Sequence, residues 1–213
     1  MKKLIALAFL TLFSISVFAQ DQAVKPKNGW DYFAAGQYQE SLKALETERQ
    51  SFPERMDIYV IAGWCYREMK DWANMERISA EGLKIQPNDP RALKNIGDAM
   101  FWQGKYQQAV QYYDGYLKYK YQPKTDTNYA TVYYRMALCY YNLKQWLKAD
   151  ICFSLHNRYK PNDYLTIMNL ADVKEKLGEY NKAYNLYQQT LKIRPNNQRG
   201  LEGVNRLKDK VTS

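Results

Sequence analysis

The sequence predicts an all-α fold of stacked helical hairpins, and three observations carry that expectation. Gly29, Gly63 and Gly97 recur at a spacing of 34 residues, followed three places on by Tyr32, Tyr66 and Met100. Within each period, apolar residues return at intervals of three and four, the mark of amphipathic helix. Pro53, Pro87, Pro161 and Pro195 close successive periods, where the missing N–H of proline ends a helix. A hairpin of this kind cannot bury its apolar face alone, so the units must stack. Composition agrees: of 213 residues 46% are hydrophobic and 15% aromatic, too many for a disordered chain. With 10 Gly and 7 Pro, a collagen-like or low-complexity scaffold is excluded.

In chain order, residues 1–19 read as an export signal. Lys2 and Lys3 form a basic start, Leu4 to Val17 an apolar stretch, and Val17-Phe18-Ala19 a cleavage site before Gln20. The stretch falls short of the about 20 apolar residues that a membrane span needs, and an uncleaved anchor is the alternative reading. No cysteine precedes Cys65, so no lipid attachment point is offered. The expectation is a soluble, exported protein of a bacterial cell envelope, periplasmic or outward-facing, not a lipoprotein, with no transmembrane segment after cleavage. Losing Lys2 and Lys3 lowers the formal net charge of +9 by two. An exported basic chain rarely meets nucleic acid; anionic lipid, acidic glycan or an acidic protein suits it better.

Residues 20–213 read as one domain. The first unit, 22–55, has Pro26 inside its opening helix and is expected to be a half-unit that caps the stack. The second spans 56–89. In the third, 90–123, Leu93, Ile96, Gly97 and Met100 form one helical face and Ala109, Val110, Tyr113, Tyr116 and Leu117 another. Between them, Gln103-Gly104-Lys105-Tyr106 holds a glycine able to take the positive φ of a helix end. A polar stretch from Tyr121 to Asn128, with Pro123 in it, reads as a surface loop inserted at 124–129. The pattern resumes in units 130–163 and 164–197 with Ala137, Tyr140, Lys144, Trp146 and Ala149, then Ala171, Lys174, Gly178, Tyr180 and Ala183. A final helix, 198–211, lines up Leu201, Val204, Leu207 and Val211, with Arg206, Lys208 and Lys210 off that stripe, the polar cover a terminal unit needs.

These positions resemble the tetratricopeptide repeat, most closely through Tyr59-x-x-Ala62-Gly63-x-x-Tyr66, Leu93-x-x-Ile96-Gly97 and Gly178-x-Tyr180-x-x-Ala183. The resemblance implies a right-handed α-solenoid of about five hairpins with a C-terminal capping helix. The fourth unit departs from it, with Lys144 and His156 where glycine and a small residue are usual. The resemblance also implies a concave groove lined by the first helices. Carried over residue by residue, that groove takes Trp30 and Phe33 from the first unit and Val60, Trp64, Arg67 and Glu68 from the second. The third gives Arg91, Lys94, Asp98, Phe101 and Trp102, and the fourth Tyr134, Leu138 and Tyr141, with Arg135 at the edge. Met168, Asp172, Glu175 and Lys176 come from the fifth. Large aromatics beside arginine are what binding hot spots are made of, and so large an exposed apolar surface is costly unless used. Rings at this spacing also serve as core. The five-residue set with which some members clamp a C-terminal carboxylate is absent, since only Asn95 and Arg135 of it are in place. The expected ligand is apolar and aromatic rather than a bare carboxylate.

Little in the chain suggests chemistry. One histidine, His156, cannot complete a catalytic triad or a zinc site. Phosphate-binding glycine loops are missing. Asp98, Asp172 and Glu175 read as carboxylates on solvated helix faces. Cys65 and Cys139 hold equivalent places in different units. Cys139 and Cys152, on the two helices of one hairpin, are the one pair that could bond, though buried free thiols fit them better. No cofactor and no metal is implied. The function expected is a non-enzymatic scaffold that binds an extended or helical segment of a protein partner, within an envelope complex. The alternative is a carrier or sensor of a small hydrophobic or glycan ligand that serves a transporter or cell-wall enzyme. Self-assembly is a third reading, and oligomeric state is left open.

Overall fold

The computed structural model describes residues 27–119 and 127–211, and every regular element among them is an α-helix. Five hairpins follow one another: α1 (Gly29–Ala34) with α2 (Tyr38–Ser51), α3 (Met56–Glu68) with α4 (Trp72–Ile85), α5 (Pro90–Trp102) with α6 (Tyr106–Tyr119), α7 (Thr127–Asn142) with α8 (Trp146–Tyr159), and α9 (Tyr164–Lys176) with α10 (Tyr180–Ile193). A last helix, α11 (Gln198–Leu207), packs on α10. The export signal expected at 1–19 and most of the expected loop, 121–126, lie outside the described residues. Among the described residues no helix is long and apolar enough to cross a membrane.

The period of 34 has two physical causes. The first is close approach inside each hairpin. A Cβ on Gly97 would stand 2.8 Å from the Tyr113 ring, and one on Gly29 would collide with Leu45; only glycine lets those second helices in. The second is the turn. Gly36, Lys70, Gly104, Lys144 and Gly178 all take φ between 57° and 76°. In each turn the next N–H reaches back five residues, as from Lys105 to the Met100 carbonyl at 2.9 Å and from Gln145 to Tyr140 at 2.8 Å. That bond satisfies carbonyls a helix end leaves open. Between hairpins, capping side chains start the next helix: Asp89 accepts from the Arg91 and Ala92 N–H groups, Asp163 from Thr166 and Asn197 from Gly200. Helix α1 is only six residues long, started by a reciprocal cap between Asn28 and Asp31.

Two boundaries differ from the sequence expectation. Helix α7 begins at Thr127, three residues before Ala130, so Asn128 and Tyr129 are helical rather than loop. The reason is packing: Tyr129 is fully buried, its ring 5.6 Å from that of Tyr116 and 6.4 Å from that of Tyr159. Burial of a ring that size is worth about 2 kcal/mol or more, enough to extend the helix backward. The terminal helix stops at Leu207 instead of 211, because its buried stripe ends there. The largest core joins α5 to α8 through Tyr113, Tyr116, Tyr129, Met136 and Phe153 and reaches α9 at Leu170 and Val173. Smaller clusters sit at either end, around Leu45, Ile58 and Cys65 and around Met168, Tyr187 and Leu207.

Candidate functional site

Rings of the first two hairpins gather into one cluster. Trp30 and Phe33 project from α1 and Trp64 from α3. Their centroids are 5.6 to 6.3 Å apart, with Trp30 edge-on to Trp64. Trp30 stays 48% exposed, so this is a surface cluster rather than core. It walls a cleft with two hollows. The first, of about 400 Å³, has Trp30, Val60, Ile61 and Trp64 around it, with Glu48, Arg55, Asp57 and Arg91 at its margin. The second, of about 330 Å³, is bounded by Phe33, Trp64, Arg67, Arg91, Lys94 and Asn95. Trp64 and Arg91 belong to both, as a shared wall.

Below the second hollow lies a buried ionic group that corrects the reading of Asp98 as a solvated carboxylate. Asp98 is 1% exposed. Its carboxylate takes Lys94 Nζ at 2.8 Å, the Tyr113 hydroxyl at 2.9 Å and the Arg135 guanidinium. Three helices thus meet on one acid. Burial alone would raise its pKa, but Lys94 and Arg135 outweigh that and hold it below the usual carboxylate value. Burial pushes the Lys94 ammonium down; Asp98 opposes that shift, while Arg135 and Arg67 add to it. The Tyr113 hydroxyl is pushed well up by burial and by Asp98. Lys94 and Arg135, two of the expected groove residues, are therefore tied to a structural acid. Arg67, more exposed, pairs with its neighbour Glu68 at 2.8 Å.

The remaining expected residues do not join this cleft. Trp102 and Phe101 lie at the hairpin-turn edge. Trp102, 54% exposed, stacks on Trp72 with centroids 5.5 Å apart, and Phe101 meets Tyr106 edge-on. Gln103 Nε2, bonded to Glu76 at 2.7 Å, ties that turn to the preceding hairpin. Tyr134 is half-buried against Phe153 and His156, with its hydroxyl 3.3 Å from Asn169 Nδ2. Tyr141 packs on Trp146. Met168 is 1% exposed, covered by Leu207 of α11 within the terminal core. Val60, by contrast, does line the first hollow, although it packs with Met56 and Ala92 and is 1% exposed. Asp172 and Glu175 are not on a solvated face either: they hold Tyr187, Arg199 and Arg206.

Cys65, Cys139 and Cys152 are buried free thiols, and burial pushes Cys139 and Cys152 up to about 12, far from nucleophilic thiolate. His156 shares a hydrogen bond of 2.7 Å between Nδ1 and the Thr166 hydroxyl, and burial lowers its pKa. Among the described residues no cluster of three His, Cys, Asp or Glu has metal-binding form. Ile61 and Asn95 are cleft residues that the groove expectation did not include. Asn95 stands one helical turn after Arg91 on α5, on one face with Lys94.

Three family models, each described as tetratricopeptide repeat, match residues 27–74, residues 91–119 with 131–154, and residues 166–200. Solved structures share the fold at low identity. One of MamA aligns with a TM-score of 0.68 and 16% identity over 87% of this chain and 98% of that one. YrrB, described as a repeat protein with an unusual peptide-binding site, aligns at 0.71 and 12% identity over 86% and 89%. The Cut9–Hcn1 assembly of the APC/C aligns at 0.65 and 16% identity, over 84% of this chain and 35% of that one. No curated protein matches the chain.

Proposed function

Because this chain belongs to the tetratricopeptide-repeat family, we propose that it is a non-enzymatic protein-interaction scaffold whose cleft at Trp30, Phe33 and Trp64 grips a segment of a partner. The observation that carries this reading is the half-exposed ring cluster over two adjoining hollows. Such a surface costs free energy in water, and a partner's apolar side chains remove that cost. YrrB, which has a similar fold, carries a peptide-binding site by its description, and that lends support. Recognition would come from ring stacking against a surface already in place, so little ordering is needed on binding. The basic, apolar N-terminus supports an exported chain working in the cell envelope.

The test is photo-crosslinking in the native cell, with the probe at Trp30 and a control at Leu147, which is 68% exposed on α8. A discrete protein adduct from Trp30 alone is the expected result. No adduct at Trp30, or the same adduct from Leu147, overturns it. A small apolar or glycan ligand is the second reading, favoured by hollows of about 400 and 330 Å³, the size of small-molecule sites. Native mass spectrometry of the freshly isolated protein would detect such a ligand as a defined mass increment that Trp64→Ala abolishes.

A further inference from the structure

We infer that the second hollow is a carboxylate subsite: it seats an acidic side chain of the partner segment, next to an apolar residue of the same segment held in the first hollow. This rests on the scaffold reading above and specifies what the cleft reads.

The charge arrangement carries it. Arg67, Arg91 and Lys94 line the second hollow, together with the Asn95 amide, and among the described residues no carboxylate does. The acids that partner these cations point elsewhere. Glu68 holds Arg67 at 2.8 Å, Asp89 at 2.7 Å and Asp57 both hold Arg91, and Asp98 takes Lys94 at 2.8 Å. Asp98 is also shared with Arg135, so two cations rest on one buried acid. Burial is the first cause that lowers the Lys94 pKa, and Arg135 and Arg67 act against its charge as well. A carboxylate entering from the cleft would meet donors on three sides and offset that repulsion.

The first hollow is different. Glu48 and Asp57 stand there beside Arg55 and Arg91, paired Arg55 with Glu48 and Arg91 with Asp57. That margin is neutral, and the walls are Trp30, Val60, Ile61 and Trp64. One hollow suits an apolar side chain and the other an anion, on either side of a single wall. Both are open to one cleft, so the acid belongs within a continuing segment. Of the five clamp positions for a C-terminal carboxylate, this hollow shares only Asn95; Arg67, Arg91 and Lys94 stand at other places.

The experiment is selection of a random twelve-residue phage-displayed library on the full-length protein, followed by anisotropy titration of the enriched peptides. Enriched peptides are expected to pair an acidic residue with a neighbouring aromatic or aliphatic one. Exchange of that acid for its amide should weaken binding about tenfold or more, as should Lys94→Met. Arg67→Gln, at an exposed ion pair that folding does not need, should weaken binding severalfold with an unchanged melting curve, which covers the case in which Lys94→Met unfolds. If enriched peptides bind, are lost with Trp64→Ala, yet show no acidic preference and ignore Arg67→Gln, the inference is overturned while the scaffold reading stands. If no peptide is enriched, or Trp64→Ala leaves binding intact, the cleft itself is overturned as a binding site, and the subsite with it.

Discussion

The same device appears twice in this solenoid, in two settings. In the third hairpin Asp98 receives the hydroxyl of Tyr113, fifteen residues on, and a cation from the following hairpin, Arg135. In the fifth, Asp172 receives the hydroxyl of Tyr187, again fifteen residues on, and a cation from the final helix, Arg199. Asp98 is sealed in the middle of the stack with Lys94 as a further cation. Asp172 lies near the end, where Glu175 and Arg206 widen the group and Arg199 and Arg206 remain half in water. The pattern in the sequence is alike; depth decides what it is worth. In the interior, losing one partner strands charges that water cannot reach. At the end, water substitutes.

Truncating the acids separates the two most sharply. Asp98→Ala leaves Lys94 and Arg135 without their carboxylate and should cost about 3–5 kcal/mol, whereas Asp172→Ala should cost about 1–2 kcal/mol. Urea unfolding of both variants measures the gap, and equal losses would dissolve the distinction. Acidification is the next test. The Asp98 pKa is held below its ordinary 3.8, so its contribution is complete above that value and is lost as pH falls through the lower, folded-state value. Thermal melts from pH 6 to pH 2 should show an acid limb that Asp98→Asn flattens. Glu175 is also held low, by the Arg206 hydrogen bonds first, so Glu175→Gln should flatten the limb less. A smaller step removes only the hydroxyls: Tyr113→Phe should cost about 1–2 kcal/mol and Tyr187→Phe about 1 kcal/mol, with a double-mutant cycle against each acid giving the coupling. Smallest of all, Arg206→Gln should cost no more than about 1 kcal/mol, and that loss should shrink in 0.5 M salt.

Much of the architecture was legible in the chain, because the residues that set it act locally. Gly97 must admit Tyr113, and Gly104 must turn left-handed, and both demands recur with the period. Trp30, Phe33 and Trp64 were singled out differently, by the groove positions that the family resemblance implies. What the period could not convey is depth. Asp98 read as a surface acid because its cations come from the same face and from a helix beyond the insertion, and no pattern on α5 announces Arg135. Met168 reads as a groove residue, yet Leu207 of α11, which packs with it, is specified elsewhere. Trp102 reads as a groove residue, and no pattern on α5 announces its stack on Trp72 of the preceding hairpin. Tyr129 sat in an apparently polar loop, and only its stack between Tyr116 and Tyr159 makes it helical.

The five turns leave a mark on the order of folding. Hairpins one, three and five turn on glycine, while two and four turn on Lys70 and Lys144, held at φ 58° and 57°. A lysine there resists its conformation by about 1 kcal/mol, so those two hairpins close readily only when a neighbour already offers a surface. Assembly should then begin at the odd-numbered hairpins, with the even ones templated between them, a sequence available to a fold whose units touch only their neighbours. Pulsed hydrogen exchange during refolding would record it as earlier protection in α5 and α6 than in α3 and α4, and Lys70→Gly should erase the lag.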